Sequence, residues 1–331
     1  MGANTEIVNG HARPGRKFLH GVYLCMILMG IGFSSKAQQN IQFSQYIFNE
    51  LTINPAYAGN KEDWNLNASY RQQWSGIPGA PRTGSISVDG LIRGDENDRR
   101  VGVGVQAMMD KLGPQSAVSL YGSYAYRIPM DEEGLSRFSL GIGIGATQYK
   151  IDPTTFQYTD QNDVAIPVAA AASIAPDARF GLYYYNPNFY FGLSVMDLLS
   201  SYTNTSYSWK GYKFETIKKA PHVYLSGGTI FTFSDNFKLK PSLMIKSDMK
   251  GPINIDFNSF LIIAEKIWVG GSYRTTSNAS IMGVLNAPKF RLGYSYDLNM
   301  SNLAGAGPSH EISLGILFPS GRNEDADPRY F

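Results

Sequence analysis

The sequence has very little of what metal sites, disulfide frameworks and many catalytic centres are built from. It contains one cysteine and four histidines in 331 residues. Cys25 lies in an apolar stretch near the N-terminus, so the remaining chain has no thiol for a disulfide or a metal. Beyond that stretch only His222 and His310 remain, on different predicted strands and without metalloprotease spacing. We therefore expect a protein that is not an enzyme and that holds no cofactor or metal.

Other familiar signatures are also missing. The sequence contains no GxSxG motif, phosphate-binding loop or dinucleotide fingerprint, and the GIGIG run at residues 141–145 lacks the GxGxxG spacing. The acidic loops at residues 95–100 and 160–163 lack the calcium-loop spacing and are interpreted as solvated turns. After residue 37 no apolar run reaches the roughly 18 residues of a membrane helix. Charged residues make up only 17% of the chain, which is low for a soluble protein.

The first 37 residues have the features of a secretory leader. Arg13, Arg16 and Lys17 precede an apolar stretch at residues 18–33, and small residues flank Lys36 before Gln38. Cleavage after Ala37 is predicted; the alternative, a transmembrane anchor, is disfavoured by the short apolar stretch. Removing four basic residues and one acidic residue changes the net charge from +2 to −1. The basicity of the full chain is therefore no indication of nucleic-acid binding.

What the sequence does have is a repeated alternation of apolar and small or polar residues. In residues 136–149, Phe138, Leu140, Ile142 and Ile144 alternate with serine and glycine, so a strand here has one apolar face. About 14 such strands of roughly 8–12 residues follow the leader, which suits tilted membrane crossings. They are predicted near residues 64–74, 82–92, 101–109, 116–128, 136–148, 178–185, 189–195, 222–233, 237–247, 253–263, 267–275, 279–285, 289–298 and 310–318.

These strands predict an all-β fold, a transmembrane antiparallel β-barrel of about 14 strands (12–16) in the outer membrane. The expected organisation is a signal peptide at residues 1–37, an N-terminal segment at 38–63, the barrel at 64–318 and a tail at 319–331. Two long connections, near residues 150–177 and 196–221, follow odd-numbered strands and therefore leave the same end. That end is extracellular if the chain starts in the periplasm.

The small-residue side of the wall needs an explanation, because glycine is costly in a strand. Gly141, Gly143 and Gly145 are expected to clear interior space for the N-terminal segment or for the tail of a partner. The segment is too polar to cross the membrane, and we expect it to plug the lumen or line the periplasmic mouth. Aromatic residues are expected either in interfacial girdles or in ordinary sheet packing; they are Tyr121, Tyr124, Tyr126, Tyr183, Tyr184, Tyr185 and Trp268.

Two sequence blocks before the first strand are too specific to be a generic strand signal. They read QFSQYIFN at residues 42–49 and NPAYAG at residues 54–59. Together they resemble the N-terminal signature of the PorP/SprF family of outer-membrane proteins, which act in type IX secretion and gliding motility. The resemblance continues in YRQQW at 70–74, GAPRT at 79–83, DKLGP at 110–114, YAYR at 124–127 and HEISL at 310–314. The tail after Phe318 departs from family members that end near the last strand.

The resemblance implies a non-enzymatic barrel that helps a cognate secreted surface protein to be exported or anchored, by engaging its C-terminal sorting domain. Periplasmic secretion or motility components and outer-membrane lipid are the other implied partners, and no nucleic acid is expected. The residues expected to contact the plug or a partner are Tyr46, Phe48, Asn54, Pro55, Tyr57, Arg71, Trp74 and Pro81. A transport channel for small solutes is the alternative function. A lipase-like enzyme is a third hypothesis, against which the missing Ser/His/Asp arrangement counts.

Overall fold

The computed structural model describes residues 43–92, 100–132, 134–152, 171–199, 205–209, 212–216, 220–276, 278–300 and 304–318. Within these ranges the chain is mostly antiparallel β-structure. The strands are β1 (Trp64–Gln72), β2 (Arg82–Ile92), β3 (Val101–Leu112), β4 (Gln115–Pro129), β5 (Arg137–Ile151), β6 (Ala171–Tyr185), β7 (Phe189–Met196), β8 (Thr205–Trp209), β9 (Tyr212–Thr216), β10 (His222–Thr229), β11 (Phe231–Ser234), β12 (Phe237–Ser247), β13 (Asn254–Ile263), β14 (Ile267–Arg274), β15 (Asn278–Asn286), β16 (Phe290–Asn299) and β17 (Ser309–Phe318).

The sheet closes on itself into a barrel. Each wall strand pairs with its neighbours in chain order, and β1 pairs with β17 from Trp64–Phe318 to Gln72–His310. Strands β10 and β11 both pair with β12, so they form one wall strand that is interrupted at Ile230. Counted this way, the described wall has 14 strands, which confirms the predicted fold. The continuous strand expected at residues 222–233 is corrected to two pieces, because only β10 pairs with β7.

The two faces of the wall differ as the alternation predicts. On β5, Leu140, Ile142 and Ile144 are exposed on the outer face, whereas Gly141 and Gly143 are buried on the inner face. Such an arrangement puts apolar side chains toward lipid and small or polar ones toward the lumen. Among the described residues, no helix is long and apolar enough to cross a membrane.

One side of the wall is taller than the sequence suggests. Strands β4, β5 and β6 each have 15 residues, and β6 begins at Ala171, inside the stretch expected to be a loop. Residues 171–177 pair fully with β5, but their alanines, serine and proline give a weak apolar alternation. The second long connection also contains structure, the hairpin of β8 and β9.

The barrel has two distinct ends. We call the terminal end the one where β1 begins and β17 finishes, and the far end the opposite one. The hairpins of β6–β7, β13–β14 and β15–β16 turn tightly at the terminal end. Both long connections, β5–β6 and β7–β10, leave the far end.

Candidate functional site

The lumen of the barrel is occupied by residues 43–63, which we call the plug. Its backbone forms three short 3-10 helices, Tyr46–Phe48, Glu50–Thr52 and Pro55–Tyr57. The third begins with a favourable cap, because the Asn54 side chain accepts a 2.9 Å hydrogen bond from the backbone N–H of Ala56, and Pro55 has no N–H that would need an acceptor there. Residues 43–60 are buried except for a half-buried Ile53. The plug runs from the far end of the lumen to the terminal end.

Charged wall residues hold the beginning of the plug near the far end. The Glu311 carboxylate accepts hydrogen bonds from the backbone N–H groups of Ser44 (2.7 Å) and Gln45 (2.9 Å). Arg71 pairs with Glu311 at 3.1 Å and with Asp297, and it donates to Ser44 Oγ at 2.8 Å. These three wall residues come from β17, β1 and β16, so the contact joins both strands of the closing pair and the neighbouring β16.

Aromatic packing fixes the middle of the plug. The Phe48 ring lies 5.6 Å, centroid to centroid, from the rings of both Phe260 and Trp268, an ordinary distance for aromatic pairs. Arg291 lies over the Phe48 ring at 4.6 Å and donates a 2.8 Å hydrogen bond to the Phe48 carbonyl. Nearby, Asn258 Nδ2 donates to the hydroxyl of Tyr46 at 2.6 Å. Side chains of the plug and of the wall therefore form a hydrophobic core together inside the barrel.

Glycines on the wall provide sockets for the second half of the plug. A Cβ on Gly141 would lie 2.2 Å from the Ala56 nitrogen, and one on Gly102 would lie 2.0 Å from the Ala58 oxygen. At Gly181 the added atom would lie 2.0 Å from Asn54 Oδ1. These distances are far below van der Waals contact, so these wall positions require glycine as long as the plug is in place. Gly145 differs, since a Cβ there would meet the Leu120 carbonyl and the Tyr121 ring of the wall and not the plug.

The plug is also tied to the terminal end by charge. The Gly59 N–H donates to Asp89 Oδ2 at 2.9 Å, and Glu62 lies 3.7 Å from Arg127 and 3.8 Å from Arg137. Deeper in the lumen, Glu50 interacts electrostatically with Lys240 of β12. Here plug carboxylates face wall cations, whereas at the far end the wall charges face one another.

The structure distributes the eight residues expected to contact the plug or a partner over two places. Tyr46, Phe48, Asn54, Pro55 and Tyr57 are buried parts of the plug, and Arg71 contacts it from the wall. The remaining two lie in the β1–β2 hairpin at the far end. There the Trp74 N–H donates to Ser309 Oγ at 3.1 Å, and the Pro81 carbonyl accepts from the Gln73 N–H at 2.9 Å.

The structure decides between the two positions that the sequence left open for the aromatic residues. Tyr121, Tyr183, Tyr185 and Trp268 do not form a girdle; they are buried inside, whereas Tyr124 and Tyr126 are exposed on the outer face. The alternation of the two faces along a strand distinguishes the inward tyrosines. On β4, Tyr121 lies on the same face as the charged Arg127, which belongs in the lumen. The sequence reasoning also missed Asp89, Asp297 and Glu311, although each occupies the small or polar face of its strand.

The polar groups of the lumen connect the plug to the wall. In the part of the chain that the structure describes, no group of three or more His, Cys, Asp or Glu side chains could hold a metal ion. The polar groups instead tie plug to wall, as in the Ser87 hydroxyl that donates to Asn49 Oδ1 at 3.0 Å. The arrangement thus serves to hold a peptide segment inside a barrel.

Fold and lumen together define a membrane β-barrel with a peptide plug. The model of the family described as "Type IX secretion system membrane protein PorP/SprF" matches residues 35–316, so the chain belongs to the PorP/SprF family. The membrane-barrel fold and this family support an outer-membrane location and an association with type IX secretion. A comparison with curated proteins finds no match.

Solved structures that resemble the chain are distant in sequence. The CymD monoaromatic hydrocarbon channel is 14% identical with a TM-score of 0.49, over 87% of this chain and 95% of that one. The Ralstonia pickettii toluene transporter TbuX is 10% identical with a TM-score of 0.46, over 81% and 93%. The Acinetobacter baumannii outer membrane protein Omp33 is 8% identical with a TM-score of 0.43, over 78% and 98%.

Proposed function

We propose that this barrel helps to export or anchor a cognate secreted surface protein by engaging its C-terminal sorting domain, in type IX secretion or gliding motility. The role is non-enzymatic. Membership of the PorP/SprF family supports the link to secretion. The observation that carries the proposal further is the plug, which fills the lumen with buried, specifically bonded residues.

The plug favours an anchor over a transport channel. A solute passing through would have to displace Phe48 from its two aromatic neighbours and Ala56 from its glycine socket. Burying an aromatic side chain of this size stabilises by about 1.5–3 kcal/mol, so such displacement is costly for a passive pore. A protein partner, in contrast, can bind at the far end while Phe48 and Ala56 stay in place.

The proposed topology rests on the secretory leader and on the long connections at the far end. After cleavage near Ala37, the terminal end faces the periplasm and the secretion or motility components there, and the far end faces outward, toward the surface protein. A Thr276→Cys variant at a far-end turn is expected to react with a membrane-impermeant maleimide in whole cells. An Asp235→Cys variant, at a terminal-end turn, should react only after permeabilisation. The reverse pattern would contradict this topology.

Deletion of the gene tests the function directly. We expect the partner surface protein to be retained or shed, with uptake of small solutes little changed, and the partner to co-purify with the tagged barrel from membranes. Normal partner display together with reduced solute uptake would instead support the channel. Complementation with the wild-type chain controls for effects on neighbouring genes.

A further inference from the structure

The far-end part of the plug is bound in a way that the rest is not. We call residues 43–45 the strap. The strap contributes two backbone N–H groups, one hydroxyl and one amide, and its side chains carry no charge. Ser44 Oγ donates to Asp297 at 2.7 Å, and Gln45 Oε1 accepts from Ser313 Oγ at 2.7 Å. Gly293 leaves the room for that amide, since a Cβ there would lie 2.1 Å from Gln45 Oε1.

The charged side chains of the wall beneath the strap pair with one another, so the strap supplies none of their counterions. Arg71 pairs with both Asp297 and Glu311, and all three belong to the wall. In the adjacent cluster, Asp256 accepts from Arg274 at 2.8 and 3.1 Å and lies 2.7 Å from Lys246. Departure of the strap therefore removes no counterion from this cluster, and buried charges are tolerated only when paired.

The remainder of the plug lacks this independence. Without it, Arg127 and Arg137 would lose Glu62, and Lys240 would lose Glu50. The sockets at Gly102 and Gly141 fit plug backbone at contact distance. The rest of the plug, residues 46–63, which we call the lower plug, is thus a permanent part of the core. The strap is held by the burial of Phe43 and by hydrogen bonds in which water or another peptide can replace it.

From this contrast we propose that the strap is releasable, and that its release opens a binding site for a short peptide segment of the partner. The strap itself shows what fits. Glu311 selects two consecutive backbone N–H groups, Asp297 takes a small hydroxyl, and Ser313 with the Gly293 space takes an amide side chain. The expected ligand is a neutral segment, bent as Ser44 and Gln45 are, with serine-like and glutamine-like residues in sequence. This inference rests on the proposed function, because the partner supplies the segment.

Two matched cysteine pairs test the release. Gln45→Cys with Ser313→Cys joins strap to wall, and Asn49→Cys with Ser87→Cys joins the lower plug to wall; both replace an amide–hydroxyl contact, of 2.7 and 3.0 Å. A short bis-thiosulfonate cross-linker, reversible by dithiothreitol, locks either pair. The locked strap should abolish partner capture by the purified barrel, and dithiothreitol should restore capture to the level of the same double variant before cross-linking. The locked lower plug should capture normally.

Glu311→Gln provides a second, independent readout. It removes the charge that holds two N–H groups, and hydrogen bonds to charged acceptors are the stronger class, so thiol labelling of a Ser44→Cys reporter should accelerate at least about tenfold. Labelling of an Asn49→Cys reporter should not change, which shows that the barrel stays folded. Capture by the locked strap, or equal labelling of Ser44→Cys with and without Glu311→Gln, would overturn the proposal. Normal partner display in the deletion strain would instead overturn the proposed function.

Discussion

Replacing Gly141 by alanine should destabilise the protein through a single misplaced methyl group. The added Cβ would lie 2.2 Å from the Ala56 nitrogen and 2.4 Å from its Cα, whereas ordinary contacts begin at 3.4 Å. The plug backbone, or β5, would have to retreat by about 1.2 Å. Overpacking typically costs 1–3 kcal/mol, and because the obstructing atoms are backbone we expect about 3 kcal/mol, roughly a hundredfold in the unfolding equilibrium.

The matched control is Gly283→Ala on the outer face of β15. A Cβ there meets nothing within 4 Å. Its free energy of unfolding should be unchanged or should rise by about 0.4–1 kcal/mol, because alanine reduces the freedom of the unfolded chain. Both variants and the wild type would be unfolded with urea in detergent micelles and compared by linear extrapolation.

A second variant tests whether backbone is responsible. Because the clash involves the nitrogen and Cα of Ala56, trimming its side chain with Ala56→Gly should not rescue Gly141→Ala, and the coupling energy should be near zero. Wild-type stability of Gly141→Ala, or full rescue by Ala56→Gly, would refute the view that the glycine socket is shaped by plug backbone.

Three other substitutions probe different parts of the molecule by the same unfolding measurement. Arg71→Ala leaves Asp297 and Glu311 buried without their cation and should cost about 3–5 kcal/mol, whereas Arg82→Ala at the exposed start of β2 should have little effect. Phe48→Ala empties the aromatic site beside Phe260 and Trp268 and should cost about 3–5 kcal/mol with a change in tryptophan fluorescence; an unchanged spectrum would contradict the packing. Ile144→Lys puts a charge on the outer face and should cost about 2–4 kcal/mol in lipid vesicles; no loss there would show that this face does not meet lipid.

Much of the wall could be predicted from the sequence because period-two alternation reports a sheet directly. Residues 136–148 show it clearly, and the structure has β5 there, extended to Ile151. The start of β6 was missed because alanine and serine give little contrast between the two faces. The inward tyrosines were open to two interpretations, since aromatic residues suit both a girdle and a core. Only the position of charged residues on the same face of the strand distinguishes the two.

The candidate site was harder to predict for a physical reason. The plug sequence motif and its need for burial were readable, as was its suitability for the lumen. Which wall residues receive it depends on pairings across most of the chain, such as Ser44 with Glu311, 267 residues apart. No local pattern encodes a contact of that separation; it emerges only once the barrel register is known.

The strap site lies where the barrel closes, and this ties plugging to folding. Arg71 is on the first wall strand, Glu311 on the last and Asp297 on the strand before it. Contacts of such long sequence separation form late, because the chain must first lose the entropy of a very large loop. A barrel still open between β1 and β17 has no complete place for Ser44. Seating of the strap therefore cannot precede the arrival of the last strand, because only then is its binding site complete.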